Sequence, residues 1–238
     1  MKAVALLSGG LDSVVATAAA ARSGEVVLTL TFDYGQRSAE NEIAAARASA
    51  RALRIAWRKV ALPWMADLLP QAMRRGGRKR LPEPASADLS ADLDDAKRSA
   101  EAARAVWVPN RNGVFVNVAA AFAEALGADA VVAGFNREEA AAFPDNSEEF
   151  MARAEAALSL STLSRVRVVS PTSGLTKTGI VRLGLEVGAP VRHVWSCYGG
   201  GRAMCGACES CARLVRALRE AGVPPGAGEW PKALPRRR

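Results

Sequence analysis

Residues 1–22, MKAVALLSGGLDSVVATAAAAR, decide the fold of this chain. Residues 2–7 form an apolar run that predicts a short buried strand, and the run ends at Ser8-Gly9-Gly10. The alanine-rich residues 13–22 predict a helix directly after this loop. A glycine turn between a strand and a helix gathers backbone N–H groups and the positive end of the helix dipole. The opening segment therefore predicts a phosphate-binding loop.

The residues that follow repeat the alternation of strand and helix. Residues 26–32 (VVLTLTF) are apolar and β-branched, which predicts a second strand, and residues 38–54 have the periodicity of an amphipathic helix. Further along, the pattern predicts strands at 130–135 and 165–170 and helices at 113–126, 147–158, 176–187 and 208–221. This order is typical of the α/β class, with a doubly wound, mostly parallel sheet and crossover helices.

Residues 63–106 interrupt the alternation. They contain four prolines, a basic run and an acidic stretch, and they predict a mobile insert with one short helix at 91–104. We therefore expect an α/β domain over 1–190 that contains this insert, a small helical segment rich in cysteine over 191–224, and a loosely held basic tail over 225–238.

Composition and charge narrow the classes of function. The chain has 238 residues, of which 50% are hydrophobic and 5% aromatic, and this favours helices packed on a sheet over an aromatic-rich β-barrel. The formal net charge of +8 suits phosphate-bearing ligands or nucleic acid, but much of it lies in two basic runs, 74–80 and 236–238. These runs are interpreted either as an RNA-contacting patch or as solvated segments. No apolar stretch has the length of a signal sequence or a membrane span, so we expect a cytoplasmic protein.

The loop SGGLDS supplies the residue types that phosphate binding needs. Its glycines allow the backbone to approach an anion closely, and its serines offer hydroxyl groups. Asp12 either caps the helix or helps to hold Mg²⁺, and a plain Gly-Gly turn followed by a helix cap is the structural alternative. No Gly-Lys-Ser/Thr sequence follows, so the loop is not a Walker A motif. The residues expected to bind the nucleotide are Ser8, Gly9, Gly10, Leu11, Asp12 and Ser13.

All four cysteines lie in one segment with the spacing C-x7-C-x2-C-x2-C, as Cys197, Cys205, Cys208 and Cys211. A disulfide framework spreads its cysteines along the chain, so a metal site is the better interpretation. Four thiolates make a closed tetrahedral site for Zn²⁺, whose role would be structural because no coordination position is open to a substrate. An iron–sulfur cluster, which uses the same ligands, and free reactive thiols are the alternatives.

The loop and the cysteine spacing together resemble the 7-cyano-7-deazaguanine synthase family, whose members carry the PP-loop of the N-type ATP pyrophosphatases. The resemblance extends from Ser8 to about Pro224, and four further blocks match: Phe32-Asp33-Tyr34-Gly35-Gln36, Val108-Pro109-Asn110-Arg111-Asn112, Thr176-Lys177 and Trp195-Ser196-Cys197-Tyr198. One block departs from the commoner pattern, because Phe143-Pro144-Asp145-Asn146-Ser147 stands where many members carry Tyr-Pro-Asp-Cys.

The resemblance implies an ATP-dependent carbon–nitrogen ligase of queuosine and archaeosine (deazapurine) biosynthesis. In that family ATP adenylates 7-carboxy-7-deazaguanine, ammonia converts the adenylate to an amide, and a second adenylation leads to the nitrile. The resemblance therefore implies ATP, Mg²⁺ and a structural Zn²⁺, with a small-molecule substrate and free ammonia as partners. It also suggests a homodimer, with no obligate nucleic acid and no membrane.

The resemblance also assigns catalytic candidates. Lys177, together with Asp12, is the candidate for catalysis, because charge that grows on the α-phosphate needs a cation. A surface lysine at a helix start is the alternative interpretation of Lys177. Arg111 either contacts phosphate or the substrate carboxylate, or forms a surface salt bridge.

Three more residues are candidates for binding the base. Asp145 either accepts hydrogen bonds from the N–H edge of a guanine-like base or only shapes the turn after Pro144. Gly134 and Asn136 stand at the end of the predicted strand 130–135, at the position where open parallel sheets place their ligands.

Rival functions remain open at this point. Another PP-loop enzyme, such as a tRNA-thiolating enzyme, uses the same adenylation, although it commonly needs a cysteine outside any metal site. A zinc-containing RNA-binding protein would explain the basic runs but would leave SGGLDS without a role. An adaptor that binds a nucleotide without turnover is the third alternative.

Overall fold

Five parallel strands form the centre of the molecule. The computed structural model describes residues 1–77 and 104–235. The strands are β1 (Lys2–Leu6), β2 (Glu25–Asp33), β3 (Trp57–Ala61), β4 (Ala130–Val132) and β5 (Arg167–Val169). They pair in the order β3-β2-β1-β4-β5, and every pairing is parallel. The chain order reverses direction at β1, so the carboxyl end of β1 is the switch point where such sheets bind ligands.

Helices cover both faces of this sheet. They are α1 (Leu11–Ser23), α2 (Ala39–Leu53), α3 (Arg111–Ala125), α4 (Arg137–Ala140), α5 (Glu148–Ser161), α6 (Lys177–Glu186) and α7 (Glu209–Glu220). Short 3₁₀ turns occur at Pro63–Leu68, Pro144–Asn146 and Val191–His193. One buried cluster joins α1, α2, α6 and α7, and a second joins the other face of the sheet to α3 and α5. The predicted doubly wound α/β fold is confirmed.

The structure contains one strand that the sequence pattern did not predict. Strand β3 carries Arg58 and Lys59 and lies at the edge of the sheet, where three of its five residues are exposed. The Arg58 guanidinium lies 5.4 Å from the ring centroid of Phe122. Charged residues with apolar stems are common on edge strands, and they hide the apolar signal on which a sequence prediction depends.

The first part of the predicted mobile insert is packed in the core. Met65, Leu69 and Met73 are buried in the cluster that also holds Val106. The prediction of a mobile insert is therefore wrong for residues 63–77, because these apolar side chains are buried against the sheet. The predicted helix at 91–104 lies outside the described residues except for its last position.

The tail is also packed as far as residue 235. Trp230 and Leu234 are 4% and 3% exposed, and the Met204 N–H donates to the carbonyl of Ala233 at 2.8 Å. Two large apolar side chains among Pro, Gly and Arg thus hold residues 225–235 in place, contrary to the expectation of a loose tail. Residues 236–238 lie outside the described part of the chain.

In the part of the chain that the structure describes, no helix has both the length and the apolar character needed to cross a bilayer. The basic run 74–80 is described only as far as residue 77. Within it, Arg75 pairs with Asp33 at 3.0 Å, so this guanidinium already has a carboxylate partner.

Candidate active site and metal centre

The loop between β1 and α1 is held open toward a cavity. Gly9 has a φ of +86°, and a Cβ atom there would lie 2.6 Å from the carbonyl oxygen of Glu42. Only glycine fits this position without displacing α2. The Ser13 hydroxyl accepts from the Ser8 N–H at 3.2 Å and donates to the carbonyl of Gly10 at 3.0 Å. The loop is therefore fixed by its own hydrogen bonds before any ligand binds.

The start of α1 is available to an anion. Gly10 is the N-cap of α1, and no side chain in the described residues caps this helix. Asp12 and Ser13 lie inside the first turn, so neither of them is the ordinary helix cap that the alternative interpretation required. The unpaired N–H groups and the positive dipole end of α1 face the loop, as anion binding requires.

Gly134 has a packing role beside the loop. A Cβ atom at Gly134 would lie 2.6 Å from the Ser13 nitrogen and 2.7 Å from the Asp12 carbonyl carbon. The residue after β4 therefore touches the first turn of α1 backbone to backbone. This close approach sets the distance between the phosphate loop and the segment that leads into α4.

Lys177 lies in an acidic cluster deep in the site. Its Nζ donates to Asp12 Oδ2 and, at 2.5 Å, to Glu139 Oε1, and its backbone N–H donates to Glu138 Oε1 at 2.7 Å. The Lys177 side chain is 12% exposed, so the interpretation of a surface lysine is wrong. Lys177 begins α6, where a cation opposes the helix dipole, and the three carboxylates compensate for this unfavourable position.

The electrostatics of the cluster keep Lys177 charged. Burial lowers the pKa of Lys177, but Asp12 and Glu139 act against burial and leave the pKa above its ordinary value. Burial alone would raise the pKa of Glu139, but Lys177 outweighs burial, so the pKa of Glu139 is lowered. For Asp12, burial outweighs Lys177 and raises the pKa to about 6. Its Oδ1 atom is buried and has no hydrogen-bond partner in residues 1–77 and 104–235.

A cavity of about 230 Å³ opens at the carboxyl ends of β1 and β4. It brings together most of the predicted site residues, namely Ser8, Gly10, Leu11, Asp12, Ser13, Arg111, Gly134, Asp145 and Lys177. Gly9 lies behind the loop and is not on the cavity wall. Aromatic pairs border the cavity: Phe32 stacks on Phe115 with centroids 4.2 Å apart, and Trp107 on Phe143 at 5.9 Å.

Arg111 and Asp145 lie together at the far side of this cavity. Asp145 Oδ2 accepts from the Asn112 backbone N–H at 3.2 Å, at the start of α3. Burial raises the pKa of Asp145, while Arg111 opposes this rise. Arg111 itself is half-buried and lies close to Tyr34 and Asp145. Burial lowers the pKa of Arg111, but these two acidic groups outweigh burial, so the pKa is raised. The pair offers one cation and one carboxylate to a polar ligand.

Asn136 lies beside the cavity wall rather than on it. It is fully buried and forms the N-cap of α4, where its Oδ1 accepts from the Glu139 N–H at 2.9 Å. The structure thus places Asn136 where it positions Glu139, which in turn holds Lys177.

Sequence reasoning missed two carboxylates of the site. Glu139 is the third helical residue after the cap Asn136, a spacing close to the capping box, and this signal was available in the sequence. Glu42 lines the cavity from α2, where it accepts from Ser38 at 2.5 Å and from Gln36 at 2.8 Å. No local pattern marks Glu42, because its role depends on the packing of α2 against the loop.

The four cysteines converge on one point. All four Sγ atoms lie within 4.8 Å of one another. The Sγ atoms of Cys197 and Cys205 are 3.5 Å apart, those of Cys205 and Cys211 3.8 Å, and those of Cys197 and Cys208 4.0 Å. The edge of a tetrahedron of thiolates around one Zn²⁺-sized ion is about 3.8 Å. The spacing therefore fits a single tetrahedral ion, whereas an iron–sulfur cluster spreads its thiolates over several irons.

The backbone supports thiolates at this centre. Cys197 Sγ accepts from the N–H groups of Gly199 at 3.4 Å and Cys205 at 3.5 Å, and Cys205 Sγ accepts from Cys208 at 3.2 Å. Such hydrogen bonds stabilise negative charge on sulfur and orient the ligands. Ser196 and Tyr198, which flank the first cysteine, line the large cavity, so the metal centre shapes one of its walls.

Known proteins share this sequence along nearly its whole length. A family model described as "Queuosine biosynthesis protein QueC" matches residues 2–222. A 7-cyano-7-deazaguanine synthase from Pelotomaculum thermopropionicum is 52% identical over 94% of this chain and 99% of that protein. Proteins of the same name from Desulforudis audaxviator and Methanosarcina mazei are 54% and 41% identical, over 93% and 94% of this chain and 98% and 96% of theirs. The chain belongs to the QueC family of queuosine biosynthesis proteins.

Proposed function

We propose that this enzyme is a 7-cyano-7-deazaguanine synthase, which converts 7-carboxy-7-deazaguanine and ammonia to the nitrile at the expense of ATP. One observation carries the proposal: the buried Lys177 ammonium group is bonded to Asp12 of the SGGLDS loop on the wall of the large cavity. A permanent cation beside an anion-binding loop suits attack on the α-phosphate of a nucleotide. The relatives of that name match the chain along nearly its whole length.

The loop would hold the β- and γ-phosphates of ATP. The free N–H groups at the start of α1 supply the donors, and the Ser8 hydroxyl, now 3.0 Å from that of Ser13, would add one by turning toward the phosphate. Asp12 fits a role as Mg²⁺ ligand, because its Oδ1 atom is buried and lacks a partner among the described residues. A Mg²⁺ ion, when bound, would neutralise the charge of the departing pyrophosphate.

In the first step, a carboxylate oxygen of the substrate attacks the α-phosphorus, and the bond from that phosphorus to the pyrophosphate oxygen breaks. Negative charge grows on the α-phosphate oxygens. Lys177 would stabilise this charge, since Asp12 and Glu139 keep it protonated and fix its position. Asn136 would act indirectly, because it holds Glu139 through the cap of α4.

Ammonia would then attack the acyl carbon. A carbon–nitrogen bond forms, the carbon–oxygen bond to AMP breaks, and one proton is lost, which leaves the amide. A second ATP would adenylate the amide oxygen and release a second pyrophosphate. Loss of AMP and a proton from that adduct gives the nitrile. The same loop and the same lysine would serve both adenylations, because each of them places charge on an α-phosphate.

The far side of the cavity would bind the deazapurine base. Asp145 is a suitable acceptor for the N–H edge of the base, and burial strengthens such a hydrogen bond. Arg111 would meet the phosphate or the substrate carboxylate, and the Trp107–Phe143 stack offers an apolar face to a flat ring.

The cysteine centre would hold Zn²⁺ in a structural role. Its four thiolates leave no coordination position open, so the ion would contribute to folding rather than to chemistry. It would fix Trp195, Ser196 and Tyr198 on the cavity wall.

The test is a turnover assay with ATP, Mg²⁺, ammonium chloride and 7-carboxy-7-deazaguanine, read by mass spectrometry. We expect the nitrile together with AMP and pyrophosphate. Lys177→Ala and Asp12→Ala should abolish the product, while Lys59→Ala on the exposed edge strand should not. If ATP is cleaved to AMP but neither amide nor nitrile forms, the substrate assignment is wrong and the adenylating site survives. If ATP is not cleaved at all, the proposal fails as a whole.

A further inference from the structure

A second, much smaller cavity adjoins the large one. Its volume is about 40 Å³, against about 230 Å³ for its neighbour. A single water molecule needs roughly 10–15 Å³ of such volume, so the small cavity has room for one very small ligand and not for a nucleotide or a base. The two cavities share wall residues, among them Glu139, Lys177, Ser196 and Tyr198. The small cavity therefore opens beside the lysine of the proposed adenylation site.

The small cavity lies within an ion-pair network, and its wall carries more negative than positive charge. Glu138, Glu139 and Glu209 line it, and so do Lys177 and Arg213. Arg213 pairs with Glu138 at 3.3 Å and with Glu209 at 2.9 Å.

Two more residues extend the network beyond the wall. Asp12 pairs with Lys177, and Arg216 lies 3.8 Å from Glu138. On the wall of the small cavity itself, the described residues supply three carboxylates against two cations, which leaves one negative charge when all five are ionised. A small cation would balance this charge.

The cavity also offers unused polar groups. Ser196, Tyr198 and Ser210 line it, and the described residues provide none of these three hydroxyl groups with a hydrogen-bond partner. All three residues are half-buried, so their hydroxyl groups are available to a small ligand that makes several hydrogen bonds.

We propose that this cavity binds the ammonium ion, the nitrogen substrate of the reaction. Ammonium is small, carries one positive charge and donates four hydrogen bonds, and the cavity matches it in volume, charge and acceptors. The shared wall at Glu139 and Lys177 places the ion next to the position where the activated carboxyl group would form, and loss of one proton to water would give the ammonia that attacks there. The inference rests on the proposed function, because it names the site of one of its substrates.

The first experiment narrows the small cavity and leaves the wall of the large cavity unchanged. Ala142 lines only the small cavity, whereas the adjacent Ala141 is exposed and lines neither. We expect Ala142→Val to raise the KM for ammonium by about tenfold or more, while the KM for ATP stays within about twofold. Ala141→Val makes the same chemical change outside the cavity, and its kinetics should match the unmodified protein.

A second variant covers the case in which Ala142→Val does not fold. Glu209→Gln removes a negative charge from the wall of the small cavity and nearly preserves the shape of the side chain. It should also raise the KM for ammonium, with metal content measured to show that the neighbouring cysteine centre is intact. If both variants fold and leave the KM for ammonium unchanged, the inference is wrong.

A third measurement does not depend on turnover. Rubidium has the charge of ammonium and nearly its size, so anomalous scattering from crystals soaked in rubidium chloride should show an ion between Glu139 and Ser210. An empty small cavity at high rubidium concentration overturns the inference. If the protein makes no nitrile or amide, the proposed function fails, and the rubidium result then decides whether the cavity is a site for a monovalent cation.

Discussion

The backbone N–H of Trp195 donates to the carbonyl of Gly9 at 2.9 Å, which ties the cysteine segment directly to the phosphate loop. Trp195 lies two residues before the first metal ligand, and its indole N–H donates to the carbonyl of Cys197 at 2.9 Å. The proposed metal centre and the proposed ATP site are therefore joined through one residue, although they are chemically separate.

Loss of one thiolate should weaken both the fold and the ATP site. We expect Cys208→Ala to lose bound metal and to lower the melting temperature by roughly 6–12 °C, for a destabilisation of about 3 kcal/mol. Because Trp195 holds Gly9, the KM for ATP should rise as well. Calorimetry, metal analysis and kinetics measure the three effects, and Ala203→Ser in the same exposed loop is the control. An unchanged melting temperature after metal loss would contradict a structural role.

Removal of the buried cation should slow the chemistry more than it weakens binding. We expect Lys177→Ala to lower kcat by about 100- to 1,000-fold, with a much smaller change in the KM for ATP, as for the loss of a group that stabilises transition-state charge. Lys177→Arg should recover only part of the rate, because Asp12 and Glu139 are spaced for a compact ammonium group. A large rise in KM with normal kcat would instead show that Lys177 only binds ground-state ATP.

A methyl group at Gly134 should disturb the phosphate loop. The added Cβ would meet the backbone of Asp12 and Ser13 at less than 3 Å, so Gly134→Ala must displace the first turn of α1. We expect a destabilisation of about 1–3 kcal/mol and a raised KM for ATP. Gly174→Ala is the matched control, because nothing lies within 4 Å of its Cβ position. Equal effects of the two substitutions on the KM would contradict this account.

Loss of the cap on α4 should act on catalysis at a distance. Asn136→Ala removes the acceptor for the Glu139 N–H, which costs about 1 kcal/mol, and frees Glu139 to leave Lys177. We expect kcat to fall, and Asn136→Ser to restore much of it, because serine is also a good cap. A merely structural cap would lower the melting temperature and leave kcat unchanged.

The activity should fall as the pH drops through about 6. Burial raises the pKa of Asp12 to about 6, so in the free enzyme this carboxylate gains a proton there and loses the charge proposed to hold Mg²⁺. The acid limb of kcat/KM against pH measures this effect. Asp12 binds its proton more tightly in the folded state, so its contribution to the free energy of unfolding falls as the pH rises from about 4 to about 6. Asp12→Asn should remove that part of the slope.

The elements near the phosphate loop were predictable because their signals are local. The strand, the glycine turn and the helix follow one another in the sequence, and the structure places them within a residue or two of the expected bounds. The cysteine centre was predictable for the same reason, since its spacing alone brings the ligands together.

Other features depend on contacts between distant segments. Glu42 and Glu139 face Arg111 and Lys177 only after α2 and α4 have packed around the cavity, and no short pattern encodes that meeting. Strand β3 was missed because its exposed face carries charge. Residues 63–77 looked like a loop because of their prolines, whereas Met65, Leu69 and Met73 anchor them.

The packed tail has a consequence for the proposed metal centre. The carbonyl of Ala233 binds the Met204 N–H, one residue before Cys205, and Trp230 and Leu234 bury beneath the cysteine loop. An ion at the proposed metal centre would be covered on this side by the tail, so local unfolding at the C-terminus should contribute to the rate of metal exchange.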